Sequence, residues 1–556
     1  MKKRIIYTCV IFSCSLFFQN CQKEDISQNT QSEHHADSKG KIIVGEKLEN
    51  PYSLENMKKA YESLQSKDQL KSIAVDEEVI EPTHYYVRFL PEDSLQLHKL
   101  RSDSLELFDY PLDYAIEQEG YYYHDSSIPE DKITWQYTAV PADYKFPNVK
   151  YEIIEPCFIP DDSLETELKS STGINLPAML EYESYRLTGN LNKESVQDAE
   201  LKSTQGWLLP SKKEPRGTFR VNNTTTGLEG VKRVKVRAHR FVKIKSTYTN
   251  KKGEYHINKG FRYNVHYSLI FENATGFKIW GNWAFVAPAH FNMGWHSKSG
   301  YNREIYRSSD AWKWATVNNA VYKYYNYCED YSIAKPPSNL RVWVFENNSN
   351  FILGSAAMLR RTWGLKGLTT TSKIANFYFK THTLNLYVNQ IALLTKFAQP
   401  DITISLNSSI TQTDNLYNTT FHECAHASHW TKVRSKYWIK YINYIITYGA
   451  YGDGTGRNAG YCGVGEMWAN YIGALFERKA FSRTHWNDLN AVEDWYNPGF
   501  LRDIDDIEDI TTSEIFSCLS SNTNTILKMV EQLKSKTEND EKVDNAYNNE
   551  RYNDWP

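Results

Sequence analysis

The chain is poor in cysteine for its length and has no pair of cysteines in Cys-x-x-Cys spacing. Eight occur in 556 residues; without Cys9, Cys14 and Cys21 near the start there remain Cys157, Cys328, Cys424, Cys462 and Cys518, an odd and scattered set. That composition excludes a disulfide scaffold and a thiolate zinc finger. Surplus positive charge is missing too. Lys and Arg number 64 against 67 Asp and Glu, a formal charge of −3 that becomes −6 without Lys2, Lys3 and Arg4. A nucleic-acid surface needs a basic excess, so no nucleic-acid partner is expected. Mean hydropathy is −0.60, and past the first twenty residues no run of eighteen apolar residues occurs, which excludes a mature helical membrane span.

What is present begins with Met1-Lys2-Lys3-Arg4, the apolar run 5–18, and Gln19-Asn20-Cys21. A charged start, a hydrophobic middle too short for a mature span and a cysteine at its exit resemble a bacterial lipoprotein signal. The resemblance implies cleavage before Cys21 and lipid on its sulfur. Gln22-Lys23-Glu24-Asp25 resembles the acidic tag that sends some Gram-negative lipoproteins to the outer face of the outer membrane. An outer membrane lipoprotein exposed at the cell surface is therefore expected, held to the membrane through Cys21, with a plain secretory leader and a secreted or periplasmic protein as the alternative.

The chemistry-bearing stretch is Asn418 to Trp430, which contains His422-Glu423-Cys424-Ala425-His426, a His-Glu-x-x-His. On a helix, residues four apart share a face, so both imidazoles can hold one metal ion while Glu423 leans over the ion's open position. Helix is the local expectation. Asp414 is a candidate N-cap, no Gly or Pro interrupts 414–430, and Leu416, Tyr417, Phe421, Cys424 and Ser428 recur at helical spacing on the side away from the histidines. A structural zinc site closes its shell with Cys or His at short spacing, whereas a catalytic one uses three protein ligands and leaves a fourth position to water. The third ligand is assigned to Glu466, with 39 residues between it and His426, where a second helix is expected to open after a glycine-rich approach. Asn470, one turn on, is placed to hydrogen-bond a ligand histidine, and Ala469 and Gly473 are small enough for the two helices to approach closely.

These residues resemble the gluzincin branch of the zincin metallopeptidases, in which a His-Glu-x-x-His helix is followed by a helix with a ligand Glu and, four residues later, an acidic or amide partner. Asn470 stands where Asp is usual. The resemblance implies one zinc ion per chain on His422, His426 and Glu466, with Glu423 as the general base that activates water on the zinc. Tyr461, Tyr451 and His429 are the candidates for stabilising the oxyanion. The metzincin branch would need Gly at 429 and a ligand at 432; the chain has His429 and Lys432, so His429 is read as lining the cleft or held in the core.

The expected fold is α+β and multidomain. Behind the leader at 1–20 a polar tether covers 21–45. An N-terminal accessory α/β region follows at 46–210, with an amphipathic helix at Leu54, Met57, Tyr61 and Leu64 capped by Ser53, and with many tyrosines that either pack or bind glycan or peptide. Short alternating segments at 231–241, 246–249, 254–257 and 263–271 argue a small β-sandwich at 211–283, which resembles the prealbumin-like modules. A zincin-like catalytic domain, mostly α with a small sheet, is expected at 284–535, and a polar tail at 536–556. Residues 402–406 alternate strictly before the motif helix and are the candidate edge strand for an extended peptide, while the glycine-dense stretches 448–456 and 460–463 read as a loop between the ligand helices. The function expected is a zinc endopeptidase acting on extracellular proteins or glycoproteins; the alternative is a surface-anchored binding protein or adhesin.

Overall fold

Where apolar residues recur at helical spacing, the computed structural model forms helices. Leu54–Ser66 is one, with Met57, Ala60, Tyr61 and Leu64 buried and the Ser53 hydroxyl accepting from the Asn56 N–H at 3.2 Å. The structure describes residues 40–66, 80–129, 132–160, 162–172, 174–191, 201–204, 207–281, 287–346, 352–362, 400–407, 410, 412–449, 451–486, 495–507 and 509–549. The leader, Cys21 and most of the expected tether lie outside them. No helix among the described residues is long and apolar enough to cross a membrane.

The protein is mixed α and β with several sheets. In the N-terminal region, Ile43–Lys47 pairs with Tyr114–Gln118, so the tether expected to reach residue 45 ends earlier, and His84–Leu90 lies between Gln136–Pro141 and Lys150–Cys157. Several of its tyrosines are core, while Tyr151 is exposed. Tyr52, Tyr61, Tyr86, Tyr110, Tyr137 and Tyr185 are all buried in one cluster that also takes in Phe241, Val242 and Tyr263. A buried ionic group ties the same regions together: Glu181 lies 3.6 Å from Lys243 and 3.2 Å from Arg262 and accepts from the Tyr52 hydroxyl at 2.6 Å. Burying these charges is tolerable because each carries a partner of opposite sign.

The largest sheet has eight strands. Lys243–Tyr248, Val234–Arg240, Val265–Asn273, Phe277–Trp280, Leu340–Glu346, Ile402–Leu406 and Leu353–Ser355 follow in that order, with His290–His296 also on Val265–Asn273. A second, four-stranded sheet of Arg216–Asn223, Gly227–Gly230, Glu254–His256 and Arg303–Ile305 shares its core: Phe219, Val221 and Tyr255 belong to one cluster with Val236, Tyr267 and Leu269. Phe277–Trp280 and Leu340–Glu346 are parallel neighbours, so the boundary expected at 283/284 falls between strands of one sheet. A parallel pair needs a long crossover, here containing helix Ala311–Asp330, and local alternation in the sequence carries no sign of it.

Ile402–Leu406 is buried along its whole length, parallel to Leu340–Glu346 on one side and antiparallel to Leu353–Ser355 on the other. It is thus an interior strand, which corrects the expectation of an edge there. Thr403 and Ser405 alternate with Ile402, Ile404 and Leu406 yet are buried as well, because polar alternation marks one solvated face only when that face is uncovered. Among the described strands the edge at this end of the sheet is Leu353–Ser355. At the other end of the chain, 540–549, expected within the polar tail, forms helix Asp540–Asn549 with Val543 and Ala546 buried.

Candidate metal centre

The motif lies on helix Thr413–Tyr448, whose buried residues include Leu416, Tyr417, Phe421, Cys424 and Ser428, as the helical spacing requires. Gln412 is the cap residue; Asp414 falls in the first turn and pairs with Arg483 at 2.7 Å. One residue breaks the helix. Arg434 has φ 65° and ψ −175°, a positive-φ extended backbone that a bulky side chain adopts only at a cost of about 1–3 kcal/mol. The chain folds back there. On a straight helix His426 and Tyr441 would be separated by about 22 Å, yet their ring centroids are 5.8 Å apart. The returning half also sets Trp438 5.9 Å from His426 and Tyr437 4.9 Å from His429.

Glu466 sits on helix Ala459–Ala480, well inside it and not at its opening. Gly460 and Gly463, expected in the loop, are helical, and their missing side chains serve close packing. A Cβ on Gly463 would stand 2.7 Å from Trp495, one on Gly465 3.1 Å from the Tyr441 ring, and one on Gly473 3.3 Å from the His422 Cβ. The small residue at 473 therefore sets the approach of the two ligand helices, which the Trp468 indole joins by donating to the Ala425 carbonyl at 3.2 Å.

The three expected ligands converge. His422 Nε2 and His426 Nε2 are 3.1 Å apart, and Glu466 Oε2 is 3.4 Å from the first and 3.3 Å from the second. A dication with bonds of about 2.0–2.1 Å in tetrahedral geometry requires ligand atoms about 3.3–3.4 Å apart. The observed triangle is that size. His426 and Glu466 are each 2% exposed, and Glu466 Oε2 has no hydrogen-bond donor. Burial raises the proton affinity of Glu466, but the imidazoles of His426 and His422 outweigh it and hold the carboxyl well below its usual range. A buried carboxylate oxygen facing two ring nitrogens fits a cation at their centre, and the group could hold a metal ion.

Glu423 stands beside this triangle, 4% exposed, with Oε2 unpartnered. Burial pushes its carboxyl up to about 8, with His422 opposing and Glu466 adding to the rise. Gly354 of the edge strand lies directly against it: a Cβ there would fall 2.2 Å from Glu423 Oε1. Strand edge and carboxylate thus meet beside the ligand atoms.

The other expected residues distribute differently. Asn470 donates to the backbone carbonyl of Glu466 at 2.9 Å, its one side-chain hydrogen bond among the described residues, and so does not orient a histidine. An amide four residues after a helical carbonyl finds that acceptor first. Tyr461 is directed away from the triangle, its hydroxyl bonded to Lys440 at 2.6 Å and Asn524 at 2.8 Å, because its ring packs on Tyr437 in the first turn of the second helix. His429 is buried with both ring nitrogens unpartnered, and burial together with the neighbouring His426 pushes its pKa down to about 3; it is not one of the three grouped ligands. Tyr451 is 42% exposed and lies within electrostatic reach of Glu466 and Glu423. Cys424 and Cys462 are free thiols, like the other three described cysteines.

Tyr441 is the participant that the sequence reading lacks. Its hydroxyl donates to Glu466 Oε1, and no spacing rule reveals it, since residue 441 reaches residue 466 only through the reversal at Arg434. No family model matches the chain, and no curated protein matches it.

Proposed function

We propose that the protein is a zinc-dependent endopeptidase that hydrolyses extracellular proteins or glycoproteins while tethered by lipid at Cys21. The observation that carries this reading is the triangle of His422 Nε2, His426 Nε2 and Glu466 Oε2, whose 3.1–3.4 Å edges suit tetrahedral zinc, with the unpartnered Glu423 carboxylate beside it. A zinc ion held there would acidify a water molecule and polarise the scissile carbonyl.

The chain's own residues supply the remaining steps. Glu423 takes a proton from the attacking water and passes it to the leaving amine. Leu353–Ser355 offers main-chain groups to an extended peptide, and the absence of a side chain at Gly354 lets that peptide lie close to Glu423. Tyr451, exposed and within electrostatic reach of both carboxylates, is the candidate for steadying the oxyanion. The burial of Tyr52, Tyr61, Tyr86, Tyr110, Tyr137 and Tyr185 supports packing as the role of those N-terminal tyrosines.

The test is Glu423→Gln in the full chain. It should retain about one zinc per chain and lose chelator-sensitive cleavage of casein, collagen or mucin. Undiminished cleavage by this variant would refute the mechanism.

A further inference from the structure

A third ligand that offers one oxygen needs something to hold the other. Glu466 Oε2 faces the two imidazoles at 3.3 and 3.4 Å, while Oε1 accepts the hydrogen bond from the Tyr441 hydroxyl. Tyr441 is 4% exposed and wedged between Trp438, 4.4 Å away between ring centroids, and His426 at 5.8 Å. Its ring fits because residue 465 is glycine: a Cβ there would press on it at 3.1 Å. The neighbour of the ligand in sequence therefore makes room for the ligand's partner.

We propose that Tyr441 is a positioning residue whose hydroxyl occupies Glu466 Oε1, so that Oε2 alone is presented to a divalent cation between His422 and His426. This rests on the metal site proposed above. A carboxylate free at both oxygens can swing or chelate through the pair; held at Oε1 it gives one bond in one direction. Three single-atom ligands leave the fourth tetrahedral position open to water. Outer partners of metal ligands commonly carry about 10–100-fold in affinity.

The test uses the full chain and zinc affinity measured by competition with a chromophoric chelator, alongside the unfolding midpoint of the metal-free protein. Tyr441→Phe keeps the ring and removes the donor. It should weaken zinc binding by about 10–100-fold, lower the metal-free midpoint by no more than the loss of one buried hydrogen bond does, and cause no further loss of zinc affinity in a Glu466→Gln background. Gly465→Ala, whose added Cβ at 3.1 Å makes the Tyr441 ring give by a few tenths of an ångström, should weaken zinc binding in the same direction and decides the matter should Tyr441→Phe fail to fold. Zinc affinity equal to the parent's, or an equal loss with and without Glu466, overturns the inference while leaving the metal site standing. A parent protein that takes up no zinc overturns the site itself, and the inference with it.

Discussion

Replacing Gly354 by alanine puts a methyl group where the Glu423 carboxylate already sits. The added Cβ would be 2.2 Å from Oε1 and 2.8 Å from both Cδ and Cγ, against an ordinary contact of 3.4 Å or more. Rotating the end of the carboxylate does not relieve the Cγ contact, so Glu423 as a whole or strand Leu353–Ser355 must move, by about 1 Å. Overpacking of that kind costs about 1–3 kcal/mol of stability. The effect on chemistry is larger, because a displacement of about 1 Å in a reacting group costs on the order of 100-fold in rate. Gly354→Ala should therefore keep its zinc, unfold at a slightly lower temperature and lose about two orders of magnitude in kcat/KM on a fluorogenic peptide. Zinc content should hold because the three atoms nearest the added Cβ all belong to Glu423 and none to a ligand residue. Full activity in a folded Gly354→Ala protein would falsify the placement of the edge strand against the general base.

Three further outcomes are expected. His422→Ala removes one corner of the triangle and should abolish both stoichiometric zinc and hydrolysis, whereas Glu423→Gln removes hydrolysis alone; metal analysis of the two variants separates the roles, and zinc retained at parental affinity by His422→Ala would count against the ligand set. Stripping the metal should lower the unfolding midpoint, since an ion present at a thousandfold over its Kd stabilises the folded state by about 4 kcal/mol; a midpoint indifferent to chelator speaks against a bound ion. Asp109 supplies a pH dependence away from the site. Burial pushes its carboxyl up to about 6 from an ordinary 3.8, although the Tyr123 N–H bonded to it at 2.7 Å opposes the rise. As pH falls, the folded state takes up this proton before the unfolded state does, so the contribution is present below about pH 4 and lost as pH rises through about 6. Asp109→Asn should gain on the parent between pH 4 and pH 7 by on the order of 2 kcal/mol in a denaturant titration, and a difference that ignores pH would contradict the assignment.

Much of the candidate site is local and so could be read in advance. His422, Glu423 and His426 share a face because helix geometry fixes residues four apart, and Leu416, Tyr417 and Phe421 turn to the core because the same geometry puts them opposite. Gly473 announces a close helix approach, and a Cβ there would already stand 3.3 Å from the His422 Cβ. Other features depend on residues far apart in the chain. Asn470 has the spacing to serve a histidine and bonds its own helix; Tyr461 has the right chemistry and is drawn to Lys440 and Asn524. Ile402–Leu406 shows the alternation of a half-exposed strand and becomes an interior one once Leu353–Ser355 adds beside it.

Periodicity and residue chemistry alone determined that a helix would present two imidazoles and a carboxylate together, and that a later glutamate could complete the set. Tertiary structure decided what encloses them: the reversal at Arg434, the donor on Glu466 Oε1, and the strand edge against Glu423. Arg434 carries no Gly or Pro signal, and its backbone is unfavourable when taken by itself. It is held there by the packing of Tyr437, Trp438 and Tyr441 over His426 and His429, contacts that exist only after the chain has turned.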